Sequence, residues 1–137
     1  MDDGSGALDT AVFDAVIEHG TVLERQELAR QLAALLGAPQ ASDGDRAAVV
    51  PALAALAGDP VRAIRRALAA ALCDVEALAA EIVFAIVAAD DDIAAAFIAG
   101  AKALEAKCML SILKVGDEPR QCALAGRADL PREVIVA

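Results

Sequence analysis

The sequence predicts an all-α protein of seven to nine helices, built as an α-solenoid of antiparallel helix pairs with irregular repeats. Three observations lead there. Of the 137 residues, 36 are Ala, against three Phe and no Trp or Tyr, and Ala is the strongest helix former but fills little core volume. Leu, Ile and Val recur at helical spacing along nearly the whole chain, and no alternating β-branched run is flanked by hairpin signals. The tight acidic joints "GDP", "ADDD" and "GDE" return at intervals. Asp59, Asp91 and Asp117 lie 32 and 26 residues apart, about the length of a two-helix unit.

The first helix is expected from about Asp9 to Glu18, with Asp9 as N-cap, Val12, Phe13, Val16 and Ile17 as its apolar stripe and Gly20 as its stop. Thr21 and Glu24 have the spacing of a capping box at the head of the second. Its Leu28, Leu32, Leu35 and Leu36 share a face before Gly37 and Pro39 end it. The loop "APQASDGD" separates this N-terminal pair, residues 1–40, from the remainder of the single domain, 41–137. A third helix from about Asp45 to Ala57 carries Val49, Val50, Leu53 and Leu56, with Pro51 as a kink or a late start.

In "GDPVRAIRRALAAAL", Asp59 is placed to cap a helix that Pro60 opens, and Val61, Ile64, Leu68 and Leu72 form one buried stripe. The next segment, "VEALAAEIVFAIVAA", is apolar almost all round and is expected to have neighbours on most sides. Asp90, Asp91 and Asp92 then start a helix through Phe97 and Ile98, where carboxylates complement the helix dipole; a cap fits the triplet better than a metal site. In "ALEAKCMLSILKVG", Leu104, Cys108, Ile112 and Val115 are spaced for one face, "DEPRQCALAGR" makes a short helix, and Pro131 opens a last, incomplete one. Its Val134, Ile135 and Val136 are left without a covering helix, which points to a longer repeat protein or to a two-fold homodimer.

Composition narrows the function. The net charge of −9 opposes nucleic acid and anionic membrane surfaces. The acidic start "MDDGSGALD" lacks the pattern of a signal peptide, and the longest uncharged runs fall far short of the roughly 20 residues a membrane span needs, so the expected location is cytoplasmic. Cys73, Cys108 and Cys122 have no metal-ligand spacing and the one histidine, His19, is distant, so three buried, reduced thiols are expected. No phosphate loop and no nucleophile motif is present, and no catalytic, metal or cofactor-binding residue is assigned.

"GDPVRAIRRALAAAL" resembles the second half of a HEAT-type repeat, in which an Asp-Pro joint precedes a helix carrying a Val-Arg pair. "QCALAGRADLPREV", Gln121 to Val134, is similar to a stretch of a bacterial helical-repeat family of unknown function. The resemblance spans Asp45 to the C-terminus and implies an architecture without an activity. It implies that Arg62 bonds an acidic residue of a neighbouring joint, for which Asp59, Asp74 and Asp91 are available. It also implies that second helices line a concave face, which makes Arg62, Arg66 and Arg120 the candidate partner-binding residues. The expected function is a non-enzymatic protein–protein interaction module or scaffold. The alternatives are a nucleic-acid-binding repeat with a basic concave face and a non-catalytic domain of a larger enzyme or regulator.

Overall fold

The structure, a computed structural model, describes residues 10–127 and 129–135. These form α1 (Thr10–His19), α2 (Val22–Gly37), α3 (Asp43–Ala57), α4 (Arg62–Leu72), α5 (Ala80–Val87), α6 (Asp91–Gly100), α7 (Ala106–Val115), α8 (Glu118–Ala125) and the single turn α9 (Arg132–Ile135), with no strand among the described residues. The fold is all-helical. None of these helices is long and apolar enough to cross a membrane.

Two α-helical starts are sealed in full. The Thr21 hydroxyl accepts the Glu24 N–H while the Glu24 carboxylate accepts the Thr21 N–H, and Ser42 and Asp45 repeat the arrangement ahead of α3. The Ser42 box moves the start of α3 to Asp43, two residues earlier than its apolar pattern suggests, and Pro51 sits inside a continuous helix. The N-cap expected at Asp9 lies outside the described residues.

Alternate helices lie side by side. α1 packs on α3 and α3 on α5, forming one row; α2 packs on α4, α4 on α6 and α6 on α8, forming a second. Contacts of α1 with α2, α2 with α3, α3 with α4, α5 with α6 and α7 with α8 join the rows, and between them runs a core of Leu28, Leu32, Val49, Leu53, Leu56, Ile64, Leu68, Leu72, Ile82, Ile86, Phe97, Ile98, Ile112 and Leu124. Small residues, Ala29, Ala52, Ala69 and Ala94 among them, are buried at the contacts, so backbones approach closely and the larger aliphatic side chains supply the apolar area. The first row does not continue with the same closeness: α7 packs on α8 and α9, and a gap opens between it and α5.

Several expectations need correction. α5 begins at Ala80, not Val75, because residues 73–79 run as turns and irregular backbone, and it is not covered all round: Phe84 is 46 % exposed. Leu104 is buried ahead of α7 while Val115 at its end is 82 % exposed, so the four residues from Leu104 to Val115 do not share a buried face. Cys108 is buried, Cys73 half-buried and Cys122 exposed; all three are free thiols. At the C-terminal end Val134 is buried against the core and Ile135 exposed, while Val136 lies outside the described residues.

Candidate functional site

Three arginines in the first turns of α4 place positive charge where the helix dipole is already positive, and Val61, its N-cap, offers no side-chain acceptor. Carboxylates of the α5–α6 joint and a backbone carbonyl of the joint before α4 supply the compensation. Arg65 donates through Nε and Nη2 to the two Asp90 oxygens at 2.7 and 3.0 Å, and through Nη1 to the Asp59 carbonyl at 2.6 Å. Arg62 and Arg66 converge on Asp92: Arg66 Nη2 donates to Oδ2 at 3.0 Å, and Arg62 Nη2 donates to the same oxygen. Asp92, with Asp90 as a more distant second contact at 3.9 Å, therefore replaces Asp59, Asp74 and Asp91 as the partner of Arg62.

The acidic triplet serves arginines as well as its own helix, whose first turn holds Asp91 and Asp92. Asp90 holds the N-cap position of α6 without accepting a capping hydrogen bond from its side chain. The Arg65 hydrogen bonds hold the Asp90 carboxyl below the usual carboxylate range, and the Arg62 hydrogen bond does the same for Asp92. Asp91 pairs with Arg120 at 2.8 Å.

Arg120 is 9 % exposed. It donates to the Val87 and Ala89 carbonyls at the end of α5, at 2.7 and 2.8 Å, and to Asp91 and Asp117 at 2.8 and 2.7 Å. Four acceptors from two joints thus take up one guanidinium, and the hydrogen bond it donates to Asp91 raises its pKa. Of the three arginines proposed from sequence, two meet on one exposed carboxylate of the α4–α6 surface and the third is a buried strut on α8.

The same device recurs at residues that sequence reasoning passed over. Arg46 donates to the Leu36 and Ala38 carbonyls past the end of α2. Arg127 donates to the Ile98 and Ala101 carbonyls at the end of α6 and pairs with Asp129. Arg25 donates to the Gly20 carbonyl, and its Nε lies 2.9 Å from the buried Asp59 carboxylate without donating a directed bond to it. A helix end leaves carbonyls without intrahelical donors, and a planar guanidinium supplies several donors at once. For two of them the signal was available: Arg46 sits beside Asp43 and Asp45 and Arg127 two residues from Asp129, whereas Arg25 has no Asp near it in sequence.

Asp59 does not cap a helix at Pro60. Its carboxylate accepts the Val61 N–H at 2.8 Å in the joint itself, and α4 begins one residue later.

The gap between α5 and α7 is the other feature with functional potential. Two adjoining cavities, of about 160 and 260 Å³, share Phe84 as a common wall. The first is lined by Leu78, Ala80, Val83, Ala103, Glu105, Lys107 and Cys108, and the second by Val87, Ala88, Ser111, Ile112, Val115, Gly116 and Arg120. The lining residues advance together along both helices, so α5 and α7 run in the same direction on either side of one apolar groove. Val83, Val87, Cys108 and Ile112 are buried and make its floor; Phe84 and Val115 stand at its rim. Burial pushes the Cys108 thiol up, away from the thiolate that nucleophilic chemistry requires. Among the described residues no group of three or more His, Cys, Asp or Glu is arranged to hold a metal ion. Comparison with protein families, with curated proteins and with solved structures returned no match to this chain.

Proposed function

We propose that this chain is a non-enzymatic helical-repeat module that binds another protein, and that the α5–α7 groove is its docking surface. The observation that carries the reading is the exposure of Phe84 and Val115 over an apolar floor, at the one place where the first row of helices opens. Large exposed apolar side chains rimming a concavity are what protein-binding surfaces present. The two rows of alternate helices support an α-solenoid of antiparallel pairs, with the gap as an interruption of the stack.

The arginines are better suited to holding the stack than to gripping nucleic acid. Arg65 and Arg120 have their donors directed at carboxylates and helix-end carbonyls, and Arg62 and Arg66 share Asp92. A photo-crosslinking amino acid placed at position 84, and in parallel at position 66, tests the assignment in the native cell. A discrete protein adduct is expected from position 84 and none from 66. Adducts from 66 alone would move the docking surface to the arginine face, and nucleic acid attached at either position would overturn the reading.

A further inference from the structure

Resting on the groove as a docking surface, we infer that its occupant is a short, positively charged amphipathic helix of a partner protein. The groove follows eight to ten residues of α5 and α7, which at about 1.5 Å per residue is roughly 12–15 Å, the length of two to three helical turns. Phe84, Val87 and Ala88 on one wall and Cys108, Ile112 and Val115 on the other are spaced to receive apolar side chains at i, i+3, i+4 and i+7 of a third helix.

The sign of the occupant's charge follows from the rim. Glu105 lines one end, and Glu81 lies exposed three residues before Phe84 on the same face of α5. At the other end Asp91 and Asp117 flank Arg120, both reaching it from largely exposed positions. Of these four carboxylates only Glu105 lines the groove, together with Lys107 and Arg120; Glu81, Asp91 and Asp117 stand beside it, the last two taking up Arg120, in a chain whose net charge is −9. Cationic side chains flanking an apolar stripe would meet opposite charge at both ends, whereas a second copy of this acidic chain would meet like charge.

The test uses two labelled synthetic 14-residue peptides with leucines at i, i+3, i+4 and i+7, one with lysines and one with glutamates at the remaining positions, titrated with the full chain by fluorescence anisotropy. The lysine peptide is expected to bind saturably at one to one, and at least tenfold more tightly than the glutamate peptide. Phe84→Ala and Val115→Ala, both at exposed side chains, are each expected to weaken it fivefold or more with the circular dichroism unchanged. Glu81→Lys with Glu105→Lys should narrow the preference between the peptides. Equal, Phe84-dependent binding of both peptides would overturn the charge assignment and leave the groove standing. Binding of the lysine peptide that ignores Phe84 and Val115, or no binding of either, would overturn both. A chain that sediments as a dimer and dissociates on Phe84→Ala would assign the groove to a second copy.

Discussion

A carboxylate taken out of water needs opposite charge and hydrogen bonds to offset its lost hydration, and Asp59, 5 % exposed, has both in Arg25 and the Val61 N–H. Asp59→Ala is therefore expected to cost about 3 kcal/mol, well above the roughly 1 kcal/mol of a simple cap, because it strands a half-enclosed guanidinium and an N–H together. Urea denaturation measures it, and Asp59→Asn, which keeps an acceptor for Val61, should recover part of the loss. Arg120→Ala should cost about 3 kcal/mol for a like reason: it leaves two helix-end carbonyls and two carboxylates without their common donor. Arg66→Ala, at an exposed ion pair, should move the midpoint little. A fall for Arg66 as large as for Arg120 would show that exposed and buried arginines act alike. The pairing of Arg62 was legible as a type of contact but not as a partner. Asp90, Asp91 and Asp92 are adjacent in sequence and point to three different places, and which one an arginine meets depends on how α4 lies against α6.

Helix identity was readable where either periodicity or a polar start was strong. Ile64, Leu68 and Leu72 in α4 and the Thr21–Glu24 box ahead of α2 are examples, since both signals are local. Ends set by tertiary contacts were not. Nothing in "VEALAAEIVFAIVAA" marks Ala80 as the beginning of α5, because every residue from Val75 on has helical propensity; the buried Val75 and the hydrogen bond from the Lys102 N–H to the Cys73 carbonyl hold the preceding segment in another conformation. The exposed side of α5 was illegible for the same reason, as a sequence shows that a helix is apolar but not that its neighbour stands off. Ser42→Ala should cost about 1 kcal/mol by removing the cap of α3, read by thermal melting, while Ser42→Asp should be neutral. Gly116→Ala tests the lip of the groove. A methyl group there would run into the Ile112 carbonyl, so the variant is expected to unwind the end of α7 and weaken lysine-peptide binding together.

Among the described residues the molecule is an acidic all-helical fold in which arginines tie the end of one helix to the start of another, and its stability should carry that signature in pH. Asp90, Asp92 and Asp129 are held low by arginine hydrogen bonds, and Asp117 by the Arg120 backbone N–H and then its side chain. Because these carboxyls bind protons less readily folded than unfolded, their contribution is complete above about pH 5 and is lost as pH falls through about 4, the unfolded value, and below. Melting temperature is expected to be flat from pH 7 to 5 and to drop steeply from pH 4 to 3, with added salt reducing the drop at the exposed pairs. The groove is the part of the molecule that the stack leaves unfilled, and backbone amide chemical shifts recorded while the lysine peptide is titrated into the chain test its role most directly. The largest changes should cluster at Phe84, Val87, Ala88, Ser111, Ile112 and Val115. Changes centred instead on Arg62, Arg66 and Asp92, or spread evenly over the acidic surface, would contradict docking between α5 and α7.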